Sequence, residues 1–368
     1  MTREDIREYL PYDPSVFVMG EDYQIIFLTK TAGIGMIEID GERFVNEECG
    51  ILVHDTVHKI CVPGKKLNEA GEYTLVFVEY ADKKPYFPEG RELVRVKYSF
   101  RTIGDDFRLI QFADTHGLIT TPLELYESVG ECDLILLNGD MNIYSDTESR
   151  FHNALHIAGK CGRGERPVIF SRGNHDTRGA AAHLQTKYIP TAFRDGRRET
   201  FYTFRQGGLW GLVLDCGEDK CDSHAEYGGT VAFDTFRRRE TEYLEWLSEN
   251  GEREFASPGV KHRIAFCHIP FVEHFNEPFN IAEDIYERWI ELLGKMGIEL
   301  MLCGHRHKTY YLEAGTEACR YASFPTMISS IPYSNYPDGR EYYTGALIEV
   351  KDGHRYVMTV PHGEPIEF

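Results

Sequence analysis

The chain has 368 residues, enough for two domains and a sizeable core, and its 42% hydrophobic and 13% aromatic content exclude a disordered polymer. A net charge of −19 argues against a surface built to capture nucleic acid or anionic lipid, since both are held by basic patches. An anionic substrate of this chain therefore needs a locally positive site.

The opening stretch "MTREDIREYLPYDP" mixes acids with bases and has no apolar segment of signal-peptide type. No apolar run approaches the roughly 18 residues of a membrane span. The expectation is a cytoplasmic protein without a membrane partner. Nine cysteines, dispersed without a C-x-x-C pair, suit reduced thiols better than a disulfide framework. Cys267 and Cys303, each beside a histidine, read as small buried hydrophobes at strand ends.

From residue 14 to about 102 the runs "SVFVMG", "DYQIIFLTK", "GIGMIEID", "HDTVHKICV", "GEYTLVFVEY" and "RELVRVKYSF" have strand length and turn signals between them, which predicts a small β-sandwich. Tyr73, after the turn-rich "PGKKLNEAG", is placed like the tyrosine corner of immunoglobulin and fibronectin type III sandwiches. The texture changes near Ile103-Gly104-Asp105, giving an expected sandwich domain over 1–104 and a second domain over 105–368.

In the second domain continuous apolar runs, "FRLIQFA", "CDLILLN", "RPVIFS", "LWGLVLD", "KHRIAFC" and "IELMLC", read as strands buried on both faces. They alternate with amphipathic stretches, "TPLELYESV", "SRFHNALHIAGK", "FRRRETEYLEWLSE" and "IAEDIYERWIELLGKM", so the class is α/β. After Tyr310 short strands return, with "ALIEV" and "RYVMTV" flanking the Asp352-Gly353 hairpin signal and "PHGEPIEF" expected as a surface tail.

The polar residues fall where most of the apolar runs stop. "FRLIQFA" runs into Asp114-Thr115-His116, "CDLILLN" into Gly139-Asp140, and "RPVIFS" into Gly173-Asn174-His175-Asp176. "KHRIAFC" ends at His268, and "IELMLC" in Gly304-His305-Arg306-His307. Ligands of sheet-based α/β proteins bind at the carboxyl ends of strands, so such clusters can converge on one site. The converged set holds aspartates, an asparagine and histidines, the donors of Zn, Mn, Fe, Co or Ni rather than of thiolate chemistry. Seven candidate ligands are too many for one tetrahedral ion and point to two ions sharing a carboxylate.

In this order the clusters resemble the calcineurin-like metallophosphoesterases, whose pattern is D-x-H, G-D, G-N-H-[DE], H and G-H-x-H, over about residues 107 to 310. The resemblance implies that Asp114, His116 and His307 bind a first divalent ion, that Asn174, His268 and His305 bind a second, and that Asp140 bridges both. It implies further that His175 faces the scissile phosphate as general acid or transition-state stabiliser, while a bridging hydroxide attacks phosphorus. The implied fold is a four-layer αββα core, α/β (α+β) in class, after the small β-sandwich. Asn174 would then bind metal without adding a negative charge, leaving the site positive for a phosphate inside an acidic protein.

A sandwich before such a core also resembles the purple acid phosphatases. They carry Asp-x-Gly at the first motif and a ligand tyrosine three residues after the Gly-Asp aspartate. This chain has His116 there, and Tyr144 lies four residues after Asp140, so a colourless site with Tyr144 in a structural or rim role is expected. Arg172, Arg178 and Arg306 are placed to meet phosphate oxygens. His152 and His156 are read as a solvated helix face without the Glu of a zincin motif, and His183, His224 and His274 as loop residues.

The expected function is hydrolysis of a small phosphorylated substrate, a monoester or a small diester such as a cyclic nucleotide. A non-catalytic scaffold of the same fold is the alternative from another class, disfavoured because every expected ligand type is present. A DNA nuclease is disfavoured by the charge of −19.

Overall fold

The computed structural model describes residues 4–82 and 84–368. Met1, Thr2 and Arg3, at the start of the stretch read as lacking a signal, lie outside the described residues. Among the described residues no helix is long and apolar enough to cross a membrane.

The part of the chain after residue 104 is built on two facing sheets. In the first, Phe107–Phe112, Leu134–Asn138 and Pro167–Ser171 run parallel side by side. In the second, Leu209–Leu214, His262–Cys267, Leu300–Cys303 and Thr326–Ser329 are parallel in that order. These strands are apolar on both faces because each face is covered. Side chains alternate across a strand, so Leu109, Leu136 and Ile169 meet Val213, Phe266 and Leu302 of the facing sheet. Ile110, Ile135, Leu137 and Phe170 point outward onto the helices Thr120–Val129 and His152–Gly162. Leu212, Leu214, Ala265, Cys267, Met301 and Cys303 point to the opposite outside, under the helices Phe233–Asn250 and Glu283–Lys295. The four layers are thus αββα, and Cys267 and Cys303 fill the outer helix interface rather than the strand-end site.

The all-β region that precedes this core is built on it. Ser15–Met19 pairs in parallel with Pro167–Ser171, and Asp22–Ile39 continues the same sheet antiparallel to it, so the sheet is continuous across residue 104. The stretches "DYQIIFLTK" and "GIGMIEID" form one 18-residue strand with an irregularity between Leu28 and Gly33. A Cβ at Gly33 would lie 2.4 Å from the Phe77 ring and one at Gly35 2.5 Å from the His58 ring, so glycine is needed for the neighbours to close on this strand.

Two expectations change here. "GKKLNEA" is a helix, Gly64–Ala70, stopped by Gly71 at φ 64°, where turn residues alone suggested a loop. Tyr73 is not placed as a tyrosine corner: its hydroxyl donates to the Gly164 carbonyl at 2.9 Å, 91 residues away beyond the all-β region. At the other end Ile366–Glu367 pairs with His354–Val360 and the Phe368 amide donates to the Arg355 carbonyl, so the expected tail is the edge of the large sheet.

Candidate metal centre

The quoted clusters sit at the carboxyl ends of their strands, where the two sheets face one another. Two buried amides fasten the sheets just beneath. Gln111 Nε2 donates to the carbonyls of Cys303 and Ser329, both at 2.9 Å, while Asn138 Nδ2 donates to Gln111 Oε1 and to the Leu302 carbonyl. Both were polar residues inside apolar runs, a signal that sequence reading left unused.

Above this floor the backbone turns sharply. Asp114, His116, Asp140, His305 and His307 all have positive φ, between 48° and 70°. Non-glycine residues seldom adopt this region, and each such residue costs about 1–3 kcal/mol. Neighbouring loops hold them there: the Asp114 amide donates to the Gly139 carbonyl, the His116 amide to the Asp140 carbonyl, and the His305 amide to Asp114 Oδ2 at 2.7 Å. The motif glycines serve close approach. A Cβ at Gly173 would fall 2.2 Å from the Asp140 amide nitrogen, one at Gly139 2.6 Å from the His268 ring, and one at Gly304 2.6 Å from the Ala113 Cβ.

The ligating atoms converge in two groups about Asp140. Asp114, His116 and His307 form one: His116 Nε2 is 2.9 Å from His307 Nε2, which is 3.3 Å from Asp114 Oδ1. Asp140, His268 and His305 form the other, with His268 Nε2 3.1 Å from Asp140 Oδ2 and His305 Nδ1 3.0 Å from Asn174 Oδ1. A third group of His116, Asp140 and His175 overlaps the first, and the His175 ring centroid lies 5.0 Å from that of His116. Donors about 2.0–2.2 Å from a tetrahedral ion stand about 3.3 Å apart, within the 2.9–3.9 Å found here.

Electrostatics agree with a cation site. Asp114 Oδ1 and His268 Nε2 are buried without a hydrogen-bond partner. His268 Nδ1 faces the Asn138 carbonyl at 2.7 Å, which fixes the tautomer with Nε2 toward the carboxylates. Burial opposes charge on His268, yet Asp140 and Asp114 outweigh it and push its pKa up to about 10. Burial instead takes His116 and His305 down to about 4, against the pull of the same carboxylates, so both present neutral imidazoles. Burial and the Asp140 charge raise Asp176 to about 7. Its carboxyl accepts the amides of Asp140, Met141 and Gly173 at 2.9–3.1 Å and shapes the loop around the shared aspartate. Donor set, spacing and orphaned atoms therefore fit divalent ions.

His175 is not among the closest ligand contacts. Its amide donates to Asp140 Oδ1 at 2.8 Å, its Nδ1 faces the Ile143 carbonyl at 2.7 Å, and its Nε2 is 3.2 Å from Arg178 Nη1. The expected phosphate arginines all have carboxylate partners. Arg178 is held by Glu218 through two bonds of 2.8 Å. Arg172 pairs with buried Asp215 at 2.8 Å, with its guanidinium near the Phe233 and Phe236 rings. Arg306 is 3.4 Å from Glu273 and lies over Phe275. Of the three, Arg178 is the one joined by a hydrogen bond to His175.

The remaining candidates are structural or peripheral. Tyr144 is exposed beneath Arg150. His156 stacks on Tyr12 and His152 lies near Tyr188, so this pair packs against neighbouring rings rather than facing only solvent. His224 accepts the Glu226 amide, and His183 lines a neighbouring cleft. Ser330, absent from the sequence reading, donates its hydroxyl to Asp114 Oδ2. No local signal marks it, because it reaches the site from 216 residues away.

Comparison with known proteins gives this arrangement its place. No curated protein matches the chain in sequence. Among solved structures it is similar to a purple acid phosphatase from yellow lupin (Lupinus luteus) seeds, with a TM-score of 0.63 at 11% identity over 97% of this chain and 74% of that one. It is also similar to a dimetal phosphatase from Danio rerio, with a TM-score of 0.48 at 10% identity over 71% of this chain and 99% of that one. At such identities the lupin likeness is one of fold. The family model described as calcineurin-like phosphoesterase matches residues 107–309, the span that carries every candidate ligand. The chain belongs to the calcineurin-like phosphoesterase family, and it is a metal-dependent phosphoester hydrolase.

Proposed function

We propose that the chain hydrolyses small phosphomonoesters or phosphodiesters at a binuclear centre in which Asp114, His116 and His307 hold one ion, Asn174, His268 and His305 the other, and Asp140 both. The observation that carries this is the pair of three-residue donor groups, Asp114–His116–His307 and Asp140–His268–His305, with Asp140 also grouped with His116 of the first. When bound, two such ions supply an activated water and offset phosphoryl charge.

The chain's own groups supply the rest. Asp140 Oδ1 accepts the His175 amide, so the carboxylate that ties the two donor groups also places the catalytic histidine. With Nδ1 turned to the Ile143 carbonyl, neutral His175 accepts from Arg178 at Nε2; once protonated there and released from that bond, it would offer Nε2–H to the leaving oxygen, to protonate it or to stabilise its developing charge. Arg178 meets the same atom, so a phosphate bound at the centre would accept from its guanidinium as well. Asn174 fits this scheme as a neutral ligand that keeps the centre attractive to an anion. A small phosphorylated substrate, with no nucleic acid and no membrane partner, is in keeping with the charge of −19. The ligand types favour Mn, Fe, Zn, Co or Ni.

The test is metal analysis joined to activity. Purified protein should carry about two transition-metal ions per chain and cleave para-nitrophenyl phosphate or its diester analogue, while Asp140→Asn should lose both the second ion and the activity. A metal-loaded wild type inert on both ester types would sink the proposal.

A further inference from the structure

The all-β region lies against the segment that follows Arg178, through bonds to residues 186–191. A cleft of about 750 Å³ has in its lining Arg178, the residue in contact with His175, together with His183, Gln185, Tyr227 and Phe233. A volume of this size takes a group much larger than a simple alcohol. One wall is the segment from Gly179 through the 3-10 stretch Ala182–Lys187. Short 3-10 stretches have poor hydrogen-bond geometry and little stability of their own. Upstream the wall is tied to Ser145, whose amide donates to the Arg178 carbonyl and whose carbonyl accepts the Ala181 amide; downstream it is held from the all-β region.

There, Lys59 Nζ donates to the Thr186 carbonyl at 3.1 Å, the Ile189 carbonyl at 2.8 Å and Thr191 Oγ1 at 2.6 Å. An ammonium has three donors, and all of them are used on this one segment. Gln24 adds a reciprocal pair: its Nε2 donates to the Thr191 carbonyl at 2.8 Å and its Oε1 accepts the Thr191 amide at 2.9 Å. Gln24 and Lys59 come from neighbouring antiparallel strands, with Ile26 opposite Lys59 and Gln24 opposite Cys61, so both side chains leave the same face of the sheet. The Lys59 ammonium is met here by two carbonyls and a hydroxyl rather than by a carboxylate. Burying an ammonium on neutral acceptors is costly, and burial lowers the Lys59 pKa to about 7. An apolar side chain would avoid that cost but would leave the segment without its anchor.

We propose that Lys59 and Gln24 are positioning residues through which the all-β region fixes segment 178–191 and so sets which leaving groups the site accepts. The proposal rests on the phosphoester-hydrolase reading, because it concerns the group attached to the phosphate. Neither residue touches the metal ligands, so their removal separates positioning from chemistry.

The experiment uses the full metal-loaded chain with Lys59→Met and Gln24→Leu, singly and together. It compares para-nitrophenyl phosphate with a nucleoside 5′-monophosphate, whose leaving group is larger, alongside backbone amide exchange and metal content. The expected result is faster exchange confined to 178–191 and a KM for the nucleotide raised about fivefold or more, with kcat for the aryl ester held within about twofold and metal content unchanged. If Lys59→Met does not fold, Gln24→Leu carries the same expectations. Unchanged exchange at 178–191, an equal change in both KM values, or a loss of kcat together with metal overturns the positioning role. A metal-loaded wild type that cleaves neither substrate overturns the hydrolase reading and the leaving-group role with it. That outcome is distinct from an active wild type whose variants keep both KM values.

Discussion

Ser330→Ala tests how far the centre depends on groups outside the ligand set. Ser330 is fully buried just past the strand Thr326–Ser329, and its hydroxyl donates to Asp114 Oδ2, the oxygen that also accepts the His305 amide. The other oxygen of the same carboxylate stands 3.3 Å from His307 Nε2 and 3.7 Å from His268 Nε2. Deleting the hydroxyl removes one of the two contacts that fix the carboxylate plane and lets Oδ1 swing away from its partners. A hydrogen bond to a charged group contributes about 1.5–3 kcal/mol. At about 1.4 kcal/mol per tenfold, this is about a ten- to hundredfold loss of metal affinity, the usual range for outer partners of metal ligands. Calorimetric titration of metal-free protein with Zn or Mn reads it directly, and far-UV spectra check that the variant is folded. A folded Ser330→Ala that binds metal as tightly as wild type would refute the reasoning.

Gly173→Ala should cost about 1–3 kcal/mol of stability and most of the activity, because its Cβ would lie 2.2 Å from the Asp140 amide nitrogen and Oδ1. Gly208→Ala, whose Cβ meets only the Lys261 side chain at 3.4 Å, should leave the melting temperature nearly unchanged, and equal melting shifts would count against the argument. Asn174→Asp should raise KM for phosphate esters about tenfold or more by adding a negative charge beside the bound anion; unchanged KM with both ions bound would defeat the charge argument. His58, buried among Phe27, Phe77 and Thr29, has its pKa lowered by burial from 6.5 to about 4. Its folded value lies below its unfolded one, so the associated stability is complete above about pH 6.5 and is lost as pH falls through about 4, up to about 3 kcal/mol. Denaturant midpoints at pH 7 and pH 4.5 should therefore converge in His58→Leu relative to wild type, and a parallel fall in both would contradict the assignment.

The strand-end clusters were legible because they break a pattern: an apolar run must end, and Asp114-Thr115-His116 or Gly173-Asn174-His175-Asp176 is an unusual set of residues to end it with. The αββα layers were legible for a related reason, since runs such as "DLILLN" and "RPVIFS" have no polar face to give to water. Where the pattern was local but ambiguous the reading slipped. "GKKLNEA" carries turn residues, yet with Pro63 before it and Gly71 after it the stretch closes a helix. Tyr73 carried a position in a motif but no address for its hydroxyl, which lies at Gly164.

The sequence by itself determined which donor-bearing side chains stand where the apolar runs stop, in what order they leave the strands, and that a neutral asparagine stands among them. Periodicity and residue type act over a few positions, and that is enough to identify donors at strand ends. Only the tertiary structure decided how those donors are held and what surrounds them. The positive φ angles of Asp114, His116, Asp140, His305 and His307, the Ser330 hydroxyl on Asp114, the carboxylates that engage Arg172, Arg178 and Arg306, and the Lys59 anchor on residues 186–191 are set by neighbouring loops or long-range pairings. A hydrogen bond depends on where two distant stretches meet in space. No spacing along the chain encodes that meeting, and packing the two sheets and the all-β region together creates it.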